Sequence, residues 1–95
     1  MPDQPEVLTV SITRLTEDPQ KCRVEPPFKA KPGSEVNFVS DIPNAQIVFE
    51  RESPFASLVL PVGRQRIKSD ALRKNYDFTV TWPGGGQGNG SGVVP

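Results

Sequence analysis

From residue 7 to residue 15 the chain reads VLTVSITRL, with Leu8, Val10 and Ile12 alternating against Thr9, Ser11 and Thr13. A period of two is that of a strand with one face in a core. The pattern is clearest in YDFTVTW, residues 76–82, where Tyr76, Phe78, Val80 and Trp82 share one face and Asp77, Thr79 and Thr81 the other. VNFVS (36–40) repeats it with Val36 and Phe38, and QIVFE (46–50) with Ile47 and Phe49. KCRVE, SLVLPV (57–62) and RQRIKS supply shorter candidates. Turn signals separate these runs: Pro19 follows an aspartate in TEDPQ, and KPGSE holds proline then glycine in the order of a type II turn. Pro26 and Pro27 keep the residues after them extended but unable to donate to a central ladder. Ser69 or Asp70 is expected to cap one turn of helix through ALRKN. Beyond Trp82 the alternation of large residues stops, and residues 84–92 are expected to be a flexible glycine-rich connector to a weak last strand in VVP.

Seven or eight short strands joined by turns predict an all-β, two-layer sandwich. At 95 residues the chain forms one domain, because a second core could not be buried. Eleven prolines and eight glycines leave no room for long helices.

Composition narrows the function more by exclusion than by indication. A mean hydropathy of -0.42, with no apolar run near the roughly 20 residues of a membrane span, argues against a membrane partner. Met1–Gln4 opens no signal peptide, so a cytoplasmic protein is expected. Eleven acidic and eleven basic side chains cancel, and no global field draws the protein onto nucleic acid. The balance is uneven, with nine acids and six bases in residues 1–52 against two and five in residues 53–95, yet too slight to name a partner. Cys22 is the single cysteine and there is no histidine. No intrachain disulfide forms, and a catalytic thiol lacks its usual base. Cys22 alternates with Val24, which favours a buried structural thiol.

The remaining candidate chemistry is thin. Asp18 and Glu25 offer carboxylates for a hard cation, but the acid-rich spacing of a calcium loop is absent. GGGQGNG contains neither GxGxxG nor a P-loop lysine, and VVP follows where a phosphate-binding helix would begin. Asn89-Gly90-Ser91 matches a glycosylation sequon. Arg64, Arg66 and Lys68 alternate along RQRIK; they form either a face for an anionic partner or a solvated stripe whose repulsion discourages edge pairing. Tyr76 and Trp82 could stack on a sugar, but both share the face of Phe78 and Val80.

The order of motifs resembles the cupredoxins, β-sandwich proteins that include plastocyanin. PGSEVNFVSDIPNAQIVFE (32–50) corresponds to the family's glycine turn, VxF strand, proline loop with the first copper-ligating histidine, and VVF strand. YDFTVTWPGGGQGNGSGVV (76–94) corresponds to YxFxC and the loop that carries the second histidine and a methionine. The resemblance implies a cupredoxin-like fold, but it puts Ala45 or Asn44 at the first histidine, Val80 at the cysteine, Gly84 near the second histidine and Gly88–Gly90 at the methionine. A type 1 copper site needs imidazole and thiolate donors, so neither copper nor any other cofactor is expected. EDPQKCRVEP (17–26) is similar to the signature of a small bacterial family of uncharacterised proteins named for Asp-Pro and Glu-Pro dipeptides, here Asp18-Pro19 and Glu25-Pro26. That family brings no activity with it.

The expectation is a non-catalytic module that binds a protein or associates with itself. The candidate surface comprises Asn44, Ala45, Gln46, Trp82, Pro83 and Gly84, with Arg64, Arg66 and Lys68. Two alternatives are a metal-binding protein using carboxylate or amide oxygens and a carbohydrate-binding sandwich.

Overall fold

A computed structural model of the chain describes residues 7–95; Met1–Gln4, read above for a signal peptide, lies outside them. Among the described residues nine strands form two curled sheets: β1 (Val7–Arg14), β2 (Cys22–Glu25), β3 (Phe28–Lys29), β4 (Glu35–Ser40), β5 (Gln46–Val48), β6 (Val59–Pro61), β7 (Gly63–Arg66), β8 (Asn75–Trp82) and β9 (Gly86–Val93). The four-stranded sheet runs β2-β1-β4-β7 and the five-stranded sheet β3-β9-β8-β5-β6. β1 pairs with β4 in parallel, as β3 does with β9, and the other neighbours are antiparallel.

The inward residues are those of the period-two pattern. Val10 and Ile12 on β1, Val36 and Phe38 on β4, Ile47 on β5, and Tyr76, Phe78, Val80 and Trp82 on β8 are all buried between the sheets. All five phenylalanines of the chain meet there. Phe38 packs edge-on against Phe55 and Phe78, and Phe28 stacks on Phe78 with ring centroids 6.2 Å apart. Phe55 reaches this cluster from the loop between β5 and β6, joining Phe49. Each fully buried aromatic contributes on the order of 2 kcal/mol, and no buried polar side chain interrupts them among the described residues.

Three expectations are corrected. Ser69 and Asp70 form a turn, closed by the Ala71 N–H donating to the Lys68 carbonyl at 3.1 Å, and not the cap of a helix. Residues 71–74 form no helix, and the chain is already extended at Asn75, where β8 begins. The proline pair is followed by a strand of its own, β3, which raises the strand count to nine. The third correction is the largest. Residues 86–92, expected within the flexible connector 84–92, form β9 together with Val93, paired with β8 from Trp82↔Gly86 to Asn75↔Val93.

The reason lies in the alternation GxGxGxG. Gly86, Gly88, Gly90 and Gly92 all turn toward the core, and Gln87, Asn89 and Ser91 face solvent. A Cβ on any of the four would overlap a side chain already there: Trp82 at Gly86, Cys22 at Gly88, Phe78 at Gly90 and Phe28 at Gly92. The rings lie across the bare glycines and supply the apolar cover that β9 lacks. The hairpin closes through Pro83, Gly84 and Gly85, the last two at φ 105° and 86°, which side chains rarely adopt.

Candidate functional site

Register brings most of the first candidate group to one end of the sandwich. Gln46 pairs with Thr81, so the loop before β5 and the turn after β8 are neighbours. Asn44 holds a left-handed φ of 59° in that loop. Ile42 behind it is buried, its N–H donating to the Ser40 hydroxyl at 3.0 Å. Asn44, Gln46, Pro83 and Gly84 are exposed, whereas Ala45 and Trp82 face the core. The surface available there is therefore a small rim of amide, proline and glycine.

The positions that the cupredoxin resemblance assigns to copper ligands carry packing groups. Val80 is 0% exposed, with Ile47 beside it on β5 and Gly88 on β9. Ala45 is 3% exposed, Gly84 is a turn residue, and Gly88–Gly90 belong to β9. None offers an imidazole, thiolate or thioether, and the residues present do not fit type 1 copper.

The basic stripe lies elsewhere, on the other sheet. Arg64 and Arg66 belong to β7, the terminal strand of the four-stranded sheet, and Lys68 follows it. Both arginines project from the solvent face toward Glu35 of β4: Arg66 Nη2 donates to Oε1 at 3.0 Å, and Arg64 Nη1 stands 3.6 Å from Oε2. Glu35 Oε2 is enclosed without a hydrogen-bond partner. Two cations thus share one half-buried carboxylate.

The other candidates have local roles. Asp18 Oδ1 accepts the Gln20 N–H at 3.2 Å and shapes the turn before β2. Glu25 faces Arg23 at 3.8 Å. Cys22 is half-buried over Gly88; burial, and secondarily the charge of Asp41, push its thiol pKa above the ordinary value of 9.0. A thiol held protonated is a poor nucleophile. Tyr76 and Trp82 are 4% and 8% exposed, and the Tyr76 hydroxyl donates to the Leu72 carbonyl at 2.8 Å. Neither presents a ring face for stacking on a sugar.

One feature escaped the sequence reading. The solvent face of the five-stranded sheet carries a shallow depression of about 310 Å³ lined by Val48, Glu50, Asp77, Thr79 and Asn89. Residues from three strands line it, so only the β5–β8–β9 pairing could have revealed it. Two carboxylates, a hydroxyl and an amide are its polar groups. Among the described residues no group of three or more His, Cys, Asp or Glu gathers to hold a metal ion, and no helix is long and apolar enough to cross a membrane.

Neither a protein-family model nor any curated protein matches the chain.

Proposed function

We propose that this chain is a cupredoxin-like Greek-key sandwich without a copper site, serving as a non-catalytic module that binds another protein. The observation that carries this reading is the register of Ile47 against Val80, with Val80 wholly enclosed. It sets the two motif segments 46–48 and 76–82 side by side, as the resemblance requires, and puts an aliphatic side chain where a copper protein keeps its thiolate. The parallel β1–β4 pair, flanked by antiparallel β2 and β7, supports the same topology. Against catalysis stand the lack of histidine and a single thiol raised in pKa by burial. What remains on the surface is recognition: two strand edges, a basic stripe and a polar rim.

Calorimetric titration with calcium, zinc and copper tests the reading. It is expected to be silent with all three. Heat at micromolar affinity with fixed stoichiometry overturns it in favour of a metal-binding protein using oxygen ligands, for which the depression beside Glu50 and Asp77 is the natural place.

A further inference from the structure

β6 and β7 end their respective sheets on the same side of the sandwich, joined by Val62 alone. They differ in what they offer an approaching chain. On β6 the backbone is spent locally. The Phe49 N–H donates to the Leu58 carbonyl at 2.7 Å, so Leu58 faces β5 and Val59 and Pro61 face outward. The Val59 N–H is taken by the Ser57 hydroxyl at 3.4 Å, the Pro61 carbonyl accepts from Gln65 Nε2 at 3.2 Å, and Pro61 has no N–H.

On β7 the outward groups are free. The Ile67 N–H donates inward to the carbonyl of Ser34, just before β4, at 2.8 Å, and the Lys68 N–H donates outward to the Pro54 carbonyl at 2.8 Å. Strand amides alternate in direction, so Arg64 and Arg66 turn both N–H and C=O away from β4. Among the described residues no hydrogen bond reaches those N–H groups. This is a strand edge two residues long with complete donor and acceptor pairs, next to the exposed Val59 and Val62.

The side chains decide which strand can use it. A second copy pairing antiparallel about Gln65 would set each Arg64 opposite an Arg66, and like charges directly opposite are unfavourable. Glu35 neutralises one of the two cations, leaving a net positive edge. A segment with acidic residues at alternate positions answers both features. We propose that the outer edge of β7 is a docking strand for an extended acidic segment of a partner protein, paired to the backbone of Arg64 and Arg66 with its carboxylates against their guanidinium groups. The proposal rests on the interaction-module reading and locates the partner.

The test uses the full chain, isotope-labelled for amide NMR, and two synthetic octapeptides, one alternating glutamate with valine and one alternating lysine with valine. The glutamate peptide is expected to bind about tenfold tighter or more, with the largest shifts at residues 62–66 and slowed hydrogen exchange at the Arg64 and Arg66 amides. The surface variant Arg64→Gln/Arg66→Gln is expected to remove the preference while keeping a folded spectrum. Equal binding of the two peptides, no binding at millimolar peptide, or shifts centred on the Asn44–Pro83 end or the Glu50–Asp77 depression each overturn the β7 assignment. The interaction-module reading falls separately, on stoichiometric metal heats.

Discussion

The seam where β2 lies against β9 and the side where β6 gives way to β7 face the same difficulty with opposite residues. Each lies where the two sheets run out: β2, β6 and β7 are terminal strands, and β9 is flanked by β3 only at Gly92 and Val93. At the first, glycine removes side chains so that the sheets close on each other: a Cβ at Gly88 would stand 3.1 Å from the Cys22 carbonyl of the opposite sheet, and the Gln87 N–H donates across to the Gln20 carbonyl at 3.0 Å. At the second, the edges stay apart and are made unattractive to copies of themselves, by Pro61 on β6 with Ser57 just before it and by arginines on β7. A seam closed by absence of side chains has no tolerance for added volume. An edge guarded by surface groups tolerates substitution but pays in specificity when the guard is removed.

The largest expected effect is therefore at the closed seam. Gly92→Ala puts a methyl group into Phe28, which is 0% exposed and held between Phe55 and Phe78. The ring has nowhere to go, and a loss of about 3 kcal/mol is expected, the upper part of the range for overpacking. Urea unfolding measures it. Ser91→Ala, one residue away on the solvent face, is the control and is expected to change stability by less than about 0.5 kcal/mol. Equal losses in the two variants would mean that β9 is not pressed against the core.

At the open side the next effect is on association. Ser57→Ala/Pro61→Val restores two outward N–H groups to β6 and leaves Leu58, Val59 and Val62 exposed beside them. Self-association above that of the parent chain is expected in sedimentation velocity, with folding stability changed by no more than about 1 kcal/mol. Unchanged sedimentation would show that these two residues do not guard the edge.

The two regions were unequally legible in the sequence. The core strands announced themselves, because large apolar residues at every second position admit few other readings. β9 repeats every second position just as strictly, yet its inward residue is glycine, which by itself signals freedom and not burial. What makes those glycines structural is the set of rings lying over them, and Phe28 and Cys22 come from strands more than sixty residues earlier in the chain. Separation along the chain also hid the depression beside Asp77, whose lining comes from three strands. The arginine stripe was visible as a pattern, but not its place on a terminal strand or its sharing of Glu35, both of which follow from the β4–β7 register.

Alkaline pH probes the closed seam without adding an atom. Cys22 has its pKa raised above 9.0 mainly by burial, and Tyr76 above 10.0, also mainly by burial. Raised values mean that the unfolded chain releases these protons first, so stability is full below about pH 9 and declines as pH climbs through the folded-state values. The urea midpoint is expected to fall from about pH 9 upward. Cys22→Ala is expected to delay the decline to the tyrosine range. A midpoint that rises with pH, or a decline unaffected by Cys22→Ala, contradicts a seam that desolvates the thiol.

The smallest effect on stability is expected at Glu35, the carboxylate that Arg64 and Arg66 share on the open side. Removing its charge in Glu35→Gln loses the ion pairs with both Arg66 and Arg64, whose side chains are largely exposed. It also relieves the enclosed Oε2, which has no hydrogen-bond partner and stands 3.6 Å from Arg64. Pairs to exposed arginines contribute little and enclosing one carboxylate oxygen without a hydrogen bond costs, so the two terms oppose and a net change within about 0.5 kcal/mol is expected. The edge itself changes more than the fold does: both guanidinium groups are left uncompensated, and the glutamate octapeptide is expected to bind severalfold tighter, with a steeper dependence on salt. Unchanged peptide affinity would detach the arginines from recognition. A loss of several kcal/mol would make Glu35 a strut of the β4–β7 pair, and the arginines its partners in folding before anything else.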